Sequence, residues 1–127
     1  MASAPVFVGT PKTWQAALSA ANTNRDGTGT LVTVVSAGGS GSRIDSLRAV
    51  ASGTTTAGVI RYFLNDGTNK YLLKERLVTA ITPSATIAVF EDDVSFANGL
   101  VLPTGWSLMA STHNGEAFKV FAQGGDL

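Results

Sequence analysis

Short apolar runs alternate with turn-forming residues along the whole chain. Within residues 31–35, the side chains on both faces are apolar or threonine, which predicts a strand buried on both sides. Further runs that predict strands lie at 6–8, 44–51, 59–64, 71–74, 87–90, 107–110 and 117–121. Turn signals separate the runs at 24–27, 38–41, 65–67, 82–83, 98–99, 103–105 and 114–115. About eight or nine short strands that must hide two apolar faces predict an all-β fold, namely an antiparallel, jelly-roll-like β-sandwich.

Two segments allow a more specific local prediction. The runs 59–64 and 71–74 flank the turn signal at 65–67 closely, so they predict a β-hairpin. In the segment 11–22, the alanine content and an early proline would suit a helix, whereas the apolar residues from Trp14 to Ala20 recur at period two. We favour a strand there, with a helix as the alternative.

The chain length predicts one domain. A chain of 127 residues is long enough to close one hydrophobic core and too short for two. We expect residues 1–10 to form an N-terminal arm or first strand, and residues 11–127 to form a single β-sandwich domain.

Composition changes the expected surface more than the expected fold. Charged residues make up only 14% of the chain, against a usual share of about 25%, which suggests that a partner covers part of the surface. Nine basic and nine acidic residues cancel without a Lys/Arg block, so we expect no nucleic-acid partner. The absence of cysteine excludes disulfides and thiolate chemistry. With no basic, apolar leader and no apolar run near 18 residues, we expect no membrane partner and synthesis in a cytoplasm.

Three features could be chemical sites, and each has a plainer structural explanation. His113 could serve a nucleophile or a metal, but it lies in a predicted turn, where a histidine is usually surface. The acidic run 91–93 could join His113 around a divalent cation, but consecutive strand residues point to opposite faces. The glycine-rich segment 38–43 lacks the Gly-Lys-Ser/Thr of a phosphate loop, and it is typical of a connection between strands. We therefore expect no catalytic residue, no cofactor, no metal and no enzymatic activity.

Four aromatic residues could stack on a sugar or a base: Trp14, Tyr62, Tyr71 and Trp106. Tyr62 and Tyr71 are expected near each other across the predicted hairpin. Aromatic side chains at strand positions are more often core or rim residues. The sequence favours the structural role for these four and leaves the binding role open.

Six stretches are distinctive as an ensemble, although none carries a chemical mechanism: 24–30 (NRDGTGT), 41–44 (GSRI), 53–58 (GTTTAG), 78–84 (VTAITPS), 102–108 (LPTGWSL) and 122–126 (AQGGD). Through them the chain resembles, from about Asn24 to its end, a family of small proteins encoded in tailed-phage and prophage gene clusters. The resemblance provides no functional residues.

The resemblance implies a bacteriophage virion structural protein. Small β-sandwich proteins of that setting often act as capsid decoration (cement) proteins, which bind and stabilise the lattice of the major capsid protein. The expected partners are then the major capsid protein and further copies of the chain, as a homo-oligomer and by resemblance a trimer. The expected location is the capsid surface of the virion, after assembly in the bacterial host cytoplasm. The alternative is a tail or head-fibre module that binds a host receptor or carbohydrate through Trp106 and Tyr62.

The chain ends are the candidate partner-binding segments. The segment 2–8 is rich in small or apolar residues, and could add as a strand to the sheet edge of a neighbouring copy. The segment 118–127 ends in glycines that could let it reach a second subunit. We expect Val6, Phe7, Val8 and Trp106 to take part in partner binding.

Overall fold

The computed structural model describes residues 8–127, and all of its regular elements are β-strands. The strands are β1 (Thr10–Leu18), β2 (Val32–Ser36), β3 (Ser42–Ala51), β4 (Gly58–Asn65), β5 (Lys70–Val78), β6 (Glu91–Leu102), β7 (Ser107–Thr112) and β8 (Phe118–Asp126). No helix of these residues is long and apolar enough to cross a membrane.

The strands form two four-stranded antiparallel sheets. Sheet A has the order β1-β8-β3-β6, and sheet B has the order β2-β7-β4-β5. In sheet A, β1 pairs with β8 and β3 pairs with β6, and in sheet B, β2 pairs with β7 and β4 pairs with β5. A long antiparallel ribbon that wraps around itself produces this order. The prediction of an all-β, antiparallel, jelly-roll-like sandwich with eight or nine strands is confirmed.

One hydrophobic core lies between the sheets. Alternate residues of each strand point inward, because successive side chains on a strand face opposite sides. The ring of Phe90 meets that of Phe118 edge to face at a centroid distance of 6.2 Å. The fully or almost fully buried core residues include Val35, Ile44, Leu47, Ala49, Ile60, Tyr62, Leu102, Leu108, Ala110, Phe118, Val120 and Ala122.

Two local predictions are confirmed. The segment 11–22 contributes to strand β1, as its period-two pattern indicates, and forms no helix. The β4–β5 hairpin is present, and its turn is held by side-chain caps. Asp66 Oδ1 accepts hydrogen bonds from the backbone N–H groups of Thr68 and Asn69, while Gly67 has a φ of 97°, a conformation that favours glycine.

Three local predictions are wrong. Residues 87–90 form no strand, because they belong to the connection that leaves sheet B at β5 and enters sheet A at β6. The Asn98-Gly99 signal marks an irregularity inside β6 rather than a chain reversal, and Gly99 there has a φ of 76°. The segment 31–35 is not buried on both faces: β2 is an edge strand, and a bulge lets the adjacent Val34 and Val35 both reach the core.

The outer faces of the two sheets differ. The loop of residues 19–31, here called the covering loop, crosses the outer face of sheet B. Its Asn22 N–H donates to the carbonyl of Thr112 in β7, and its Arg25 pairs with Glu75 in β5. Sheet A has no such cover among the described residues.

The two long sides of the sandwich differ as well. On one side, β1 and β2 lie in contact and close the gap between the sheets. On the other, β5 and β6 are joined by an ion pair in which Arg76 donates twice to Asp92, with N–O distances of 2.7 and 2.9 Å. Both β5 and β6 are edge strands.

Candidate functional site

His113 belongs to a buried polar cluster under the covering loop. The side chain of Arg61, on the outer face of β4, is 0% exposed. It donates to Glu75 Oε2 at 2.8 Å and to the carbonyl oxygen of Asn22 at 3.1 Å, and it contacts His113 Nδ1 at 3.2 Å. Because a guanidinium has only donors, His113 Nδ1 acts as the acceptor.

This cluster fastens the covering loop to sheet B. The Arg25 hydrogen bond, aided by that of Arg61, holds the pKa of the Glu75 carboxyl below its usual range, so one carboxylate binds two guanidinium groups. Asn22 adds bonds from its amide to the carbonyl oxygens of Thr28 and Thr30. His113 is therefore tied into a structural network, and no three His, Cys, Asp or Glu residues of the described chain are grouped to hold a metal ion.

The acidic run 91–93 does not converge. Asp92 points between the sheets to Arg76, whereas Asp93 points outward and pairs with Arg48 across the β3–β6 ladder. Glu91 is exposed. The expectation that neighbouring carboxylates on a strand face opposite ways is confirmed.

The glycine-rich segment 38–43 connects β2 with β3, as its sequence indicates. The Ser42 hydroxyl donates to Asp126 Oδ1 at 2.7 Å and accepts the N–H of Gly38 at 2.9 Å. The Thr104 hydroxyl contacts the carbonyl oxygens of Gly38 and Gly39. These hydrogen bonds attach the segment to Asp126 in β8 and to Thr104, so they have a structural role.

The four aromatic residues do not form a common binding surface. Tyr62 is 1% exposed in the core, where burial raises the pKa of its phenol, so the prediction that it binds a receptor or carbohydrate is wrong. Trp14 and Trp106 are partly buried and pack against the core. Tyr71 is 51% exposed but lies opposite Leu64, while Tyr62 lies opposite Lys74, so the two tyrosines are not paired across the hairpin.

Of the predicted partner-binding residues, Val6 and Phe7 lie outside the described residues. Val8 is partly buried, and the N–H of the next residue, Gly9, donates to the carbonyl of Asp126 at 2.8 Å. The chain therefore approaches β1 along the edge of sheet A. Trp106 is partly buried in the connection before β7, and its carbonyl accepts the N–H of Ala37.

The most unusual surface is the free edge of β5. Three large apolar side chains are exposed on this one strand: Tyr71 at 51%, Leu72 at 39% and Leu77 at 78%. Within residues 8–127, β5 pairs with β4 alone, so one side of its backbone keeps its N–H and C=O groups free. Sequence reasoning identified the strand but not its exposure, because edge position depends on strand order.

Comparison with known proteins gives a distant likeness to a solved structure. No family model matches the chain, and no curated protein matches it. One similar solved structure is a pentameric capsid protein isolated from metagenomic phage sequences, with 17% sequence identity and a TM-score of 0.37. The alignment covers 91% of this chain and 66% of that one. A likeness of this size does not assign the chain to a family.

Proposed function

We propose that this protein is a non-enzymatic structural part of a bacteriophage virion, which assembles with copies of itself and decorates the capsid by binding the major capsid protein. The resemblance of the segments between 24 and 126 to phage and prophage proteins supports the virion setting. The trimeric state and the capsid-surface location belong to the same proposal.

The free edge of β5 is the observation that carries the self-assembly part. An exposed strand with unpaired backbone groups and apolar side chains is a template for pairing with another chain. Soluble monomers usually protect such edges with charge, and β5 does carry Lys70, Lys74 and Arg76. Yet Leu77 is 78% exposed on the outer face, where it lies opposite Val59. Exposure of this apolar side chain to water is unfavourable, and a partner that covered it would remove that free-energy cost.

The proposed occupant of this edge is the segment 2–7 of a neighbouring copy. In extended form, its six residues would span about 20 Å, and the nine residues of β5 span about 31 Å. Val6 and Phe7 would supply apolar partners for the β5 side chains, whereas Val8 packs against Gly125 of its own chain. Pro5 lacks an N–H, which an added edge strand tolerates where the missing donor would face solvent.

Light scattering coupled to size-exclusion chromatography tests the assembly. Leu77→Lys is expected to lower the oligomeric mass, because it places a charge in the proposed interface. Val101→Lys is the matched control, since Val101 is 55% exposed on β6, an edge strand of sheet A. Deletion of residues 2–7 should act like Leu77→Lys while the circular dichroism spectrum stays that of the β-sandwich.

Antibody detection on purified virions tests the setting. We expect the protein on particles in a copy number comparable to that of the major capsid protein. A monomeric intact protein, or an oligomer that Leu77→Lys leaves unchanged, would contradict the assembly. Absence from virions would contradict the virion role even if the oligomer forms.

A further inference from the structure

The uncovered face of sheet A holds a groove of about 510 Å³. Its floor is set by strand register. Thr13 in β1 lies opposite Gln123 in β8, Gln123 opposite Ser46 in β3, and Ser46 opposite Ser95 in β6. Directly opposed residues share a face, so one row of short hydroxyl and amide side chains crosses all four strands.

The next row along the strands places a ring beside this polar row. Gln15, Phe121, Arg48 and Asp93 are successive neighbours across the same strands. Phe121 is partly exposed and lines the groove, as do Arg48 and Asp93. The groove therefore combines an aromatic platform with a line of hydrogen-bonding groups.

The charge of the groove selects a neutral ligand. Its one cation and one anion neutralise each other, because Arg48 donates to Asp93 at 2.7 and 3.2 Å. This pair leaves further guanidinium N–H groups and carboxylate lone pairs for a ligand. Thr13, Ser95 and Gln123 are exposed, so their polar groups are open to solvent.

We propose that this groove binds a neutral saccharide. The C–H face of a sugar ring would stack on Phe121, and its hydroxyls would bond to Ser46, Gln123 and their neighbours in the polar row. Three strand spacings give the row a length of about 14 Å, which accommodates a disaccharide. The volume lies within the range of small-molecule sites. This role goes beyond capsid decoration and uses a face that the β5 edge does not share.

Nuclear magnetic resonance titration of the full chain with maltose, lactose, cellobiose and N,N′-diacetylchitobiose at millimolar concentrations tests the proposal. For at least one of these sugars, the amides that shift should be those of the polar row and of Phe121. Gln123→Ala and Phe121→Leu should each weaken the binding about tenfold. Thr33→Ala is the matched control, because Thr33 is an exposed strand residue of sheet B.

Several results would overturn the proposal. It fails if none of the four sugars shifts any amide, or if the shifts lie outside the groove. It also fails if Gln123→Ala and Phe121→Leu bind the sugar as tightly as the control. Amide spectra of the free variants report whether each one is folded, so a loss of binding by an intact variant can be attributed to the groove.

Discussion

Replacing Arg61 by methionine should detach the covering loop and destabilise the fold. Methionine keeps the apolar stem but removes the guanidinium, which is 0% exposed and holds three partners. The carbonyl of Asn22 then loses a buried donor, while Glu75 keeps its bond to Arg25. An orphaned buried acceptor costs about 1–3 kcal/mol, and breaking a buried ion pair costs about 3–5 kcal/mol. Because Glu75 retains one partner, we expect a loss of about 3 kcal/mol in the free energy of unfolding.

Urea denaturation followed by tryptophan fluorescence measures this loss. For a chain of this size, about 3 kcal/mol corresponds to a fall in Tm of roughly 10–15 °C. Arg48→Met is the matched control, since Arg48 also donates twice to a carboxylate, but the two side chains are 57% and 59% exposed. That variant should lower the free energy of unfolding far less, because solvent screens an exposed ion pair. The reasoning is refuted if the two variants lose the same free energy of unfolding. It is also refuted if the backbone amide hydrogen of Asn22, which donates to the carbonyl of Thr112, exchanges with solvent no faster in Arg61→Met than in the unaltered protein.

Two further predictions concern acid and close packing. The folded-state pKa values of Glu75 and Asp126 are lowered, by Arg25 and Arg61 and by Lys12 and Ser42 respectively. Their contribution to stability is therefore complete above the ordinary pKa values of 4.5 and 3.8, and it is lost as the pH falls through the pKa values of the folded state. The urea concentration at the unfolding midpoint should therefore decrease once the pH falls below about 4.5. A midpoint concentration that stays constant in that pH range would contradict this. Gly124→Ala should destabilise strongly, because its Cβ would overlap the Arg43 carbonyl oxygen, whereas a Cβ at Gly39 meets nothing; equal melting temperatures for Gly124→Ala and Gly39→Ala would count against this.

The sequence predicts strands where the periodicity is local and unbroken. β1 could be identified because its apolar residues alternate, and the β4–β5 hairpin because Asn65-Asp66-Gly67 encodes the turn. β6 was missed because it begins with three acidic residues and contains Asn98-Gly99, which is a turn signal in most contexts. There the pairing with β3 tolerates an irregularity that local sequence does not reveal.

Surface roles were harder to predict than strands because they depend on contacts distant in sequence. Arg61 looks like an exposed strand residue until the covering loop, some 40 positions earlier, is placed over it. The polar row on sheet A joins Thr13, Ser46, Ser95 and Gln123, which only the register brings side by side. The alternation of Ser46, Arg48 and Val50 along β3 marks an outward face, but it cannot identify the neighbours.

The sandwich uses its two outer faces differently, and this separates the two proposals. The outer face of sheet B is covered by the covering loop, which binds β7, β4 and β5 through Asn22 and Arg25. A ligand on that face would have to displace the covering loop, which would leave Arg61 without its Asn22 partner and Glu75 without Arg25. Sheet A requires no such displacement, because its polar row is already open to solvent. A copy bound along β5 and a saccharide bound on sheet A would therefore occupy separate surfaces. Leu77→Lys should lower the oligomeric mass and leave sugar binding unchanged. Gln123→Ala should weaken sugar binding and leave the oligomeric mass unchanged.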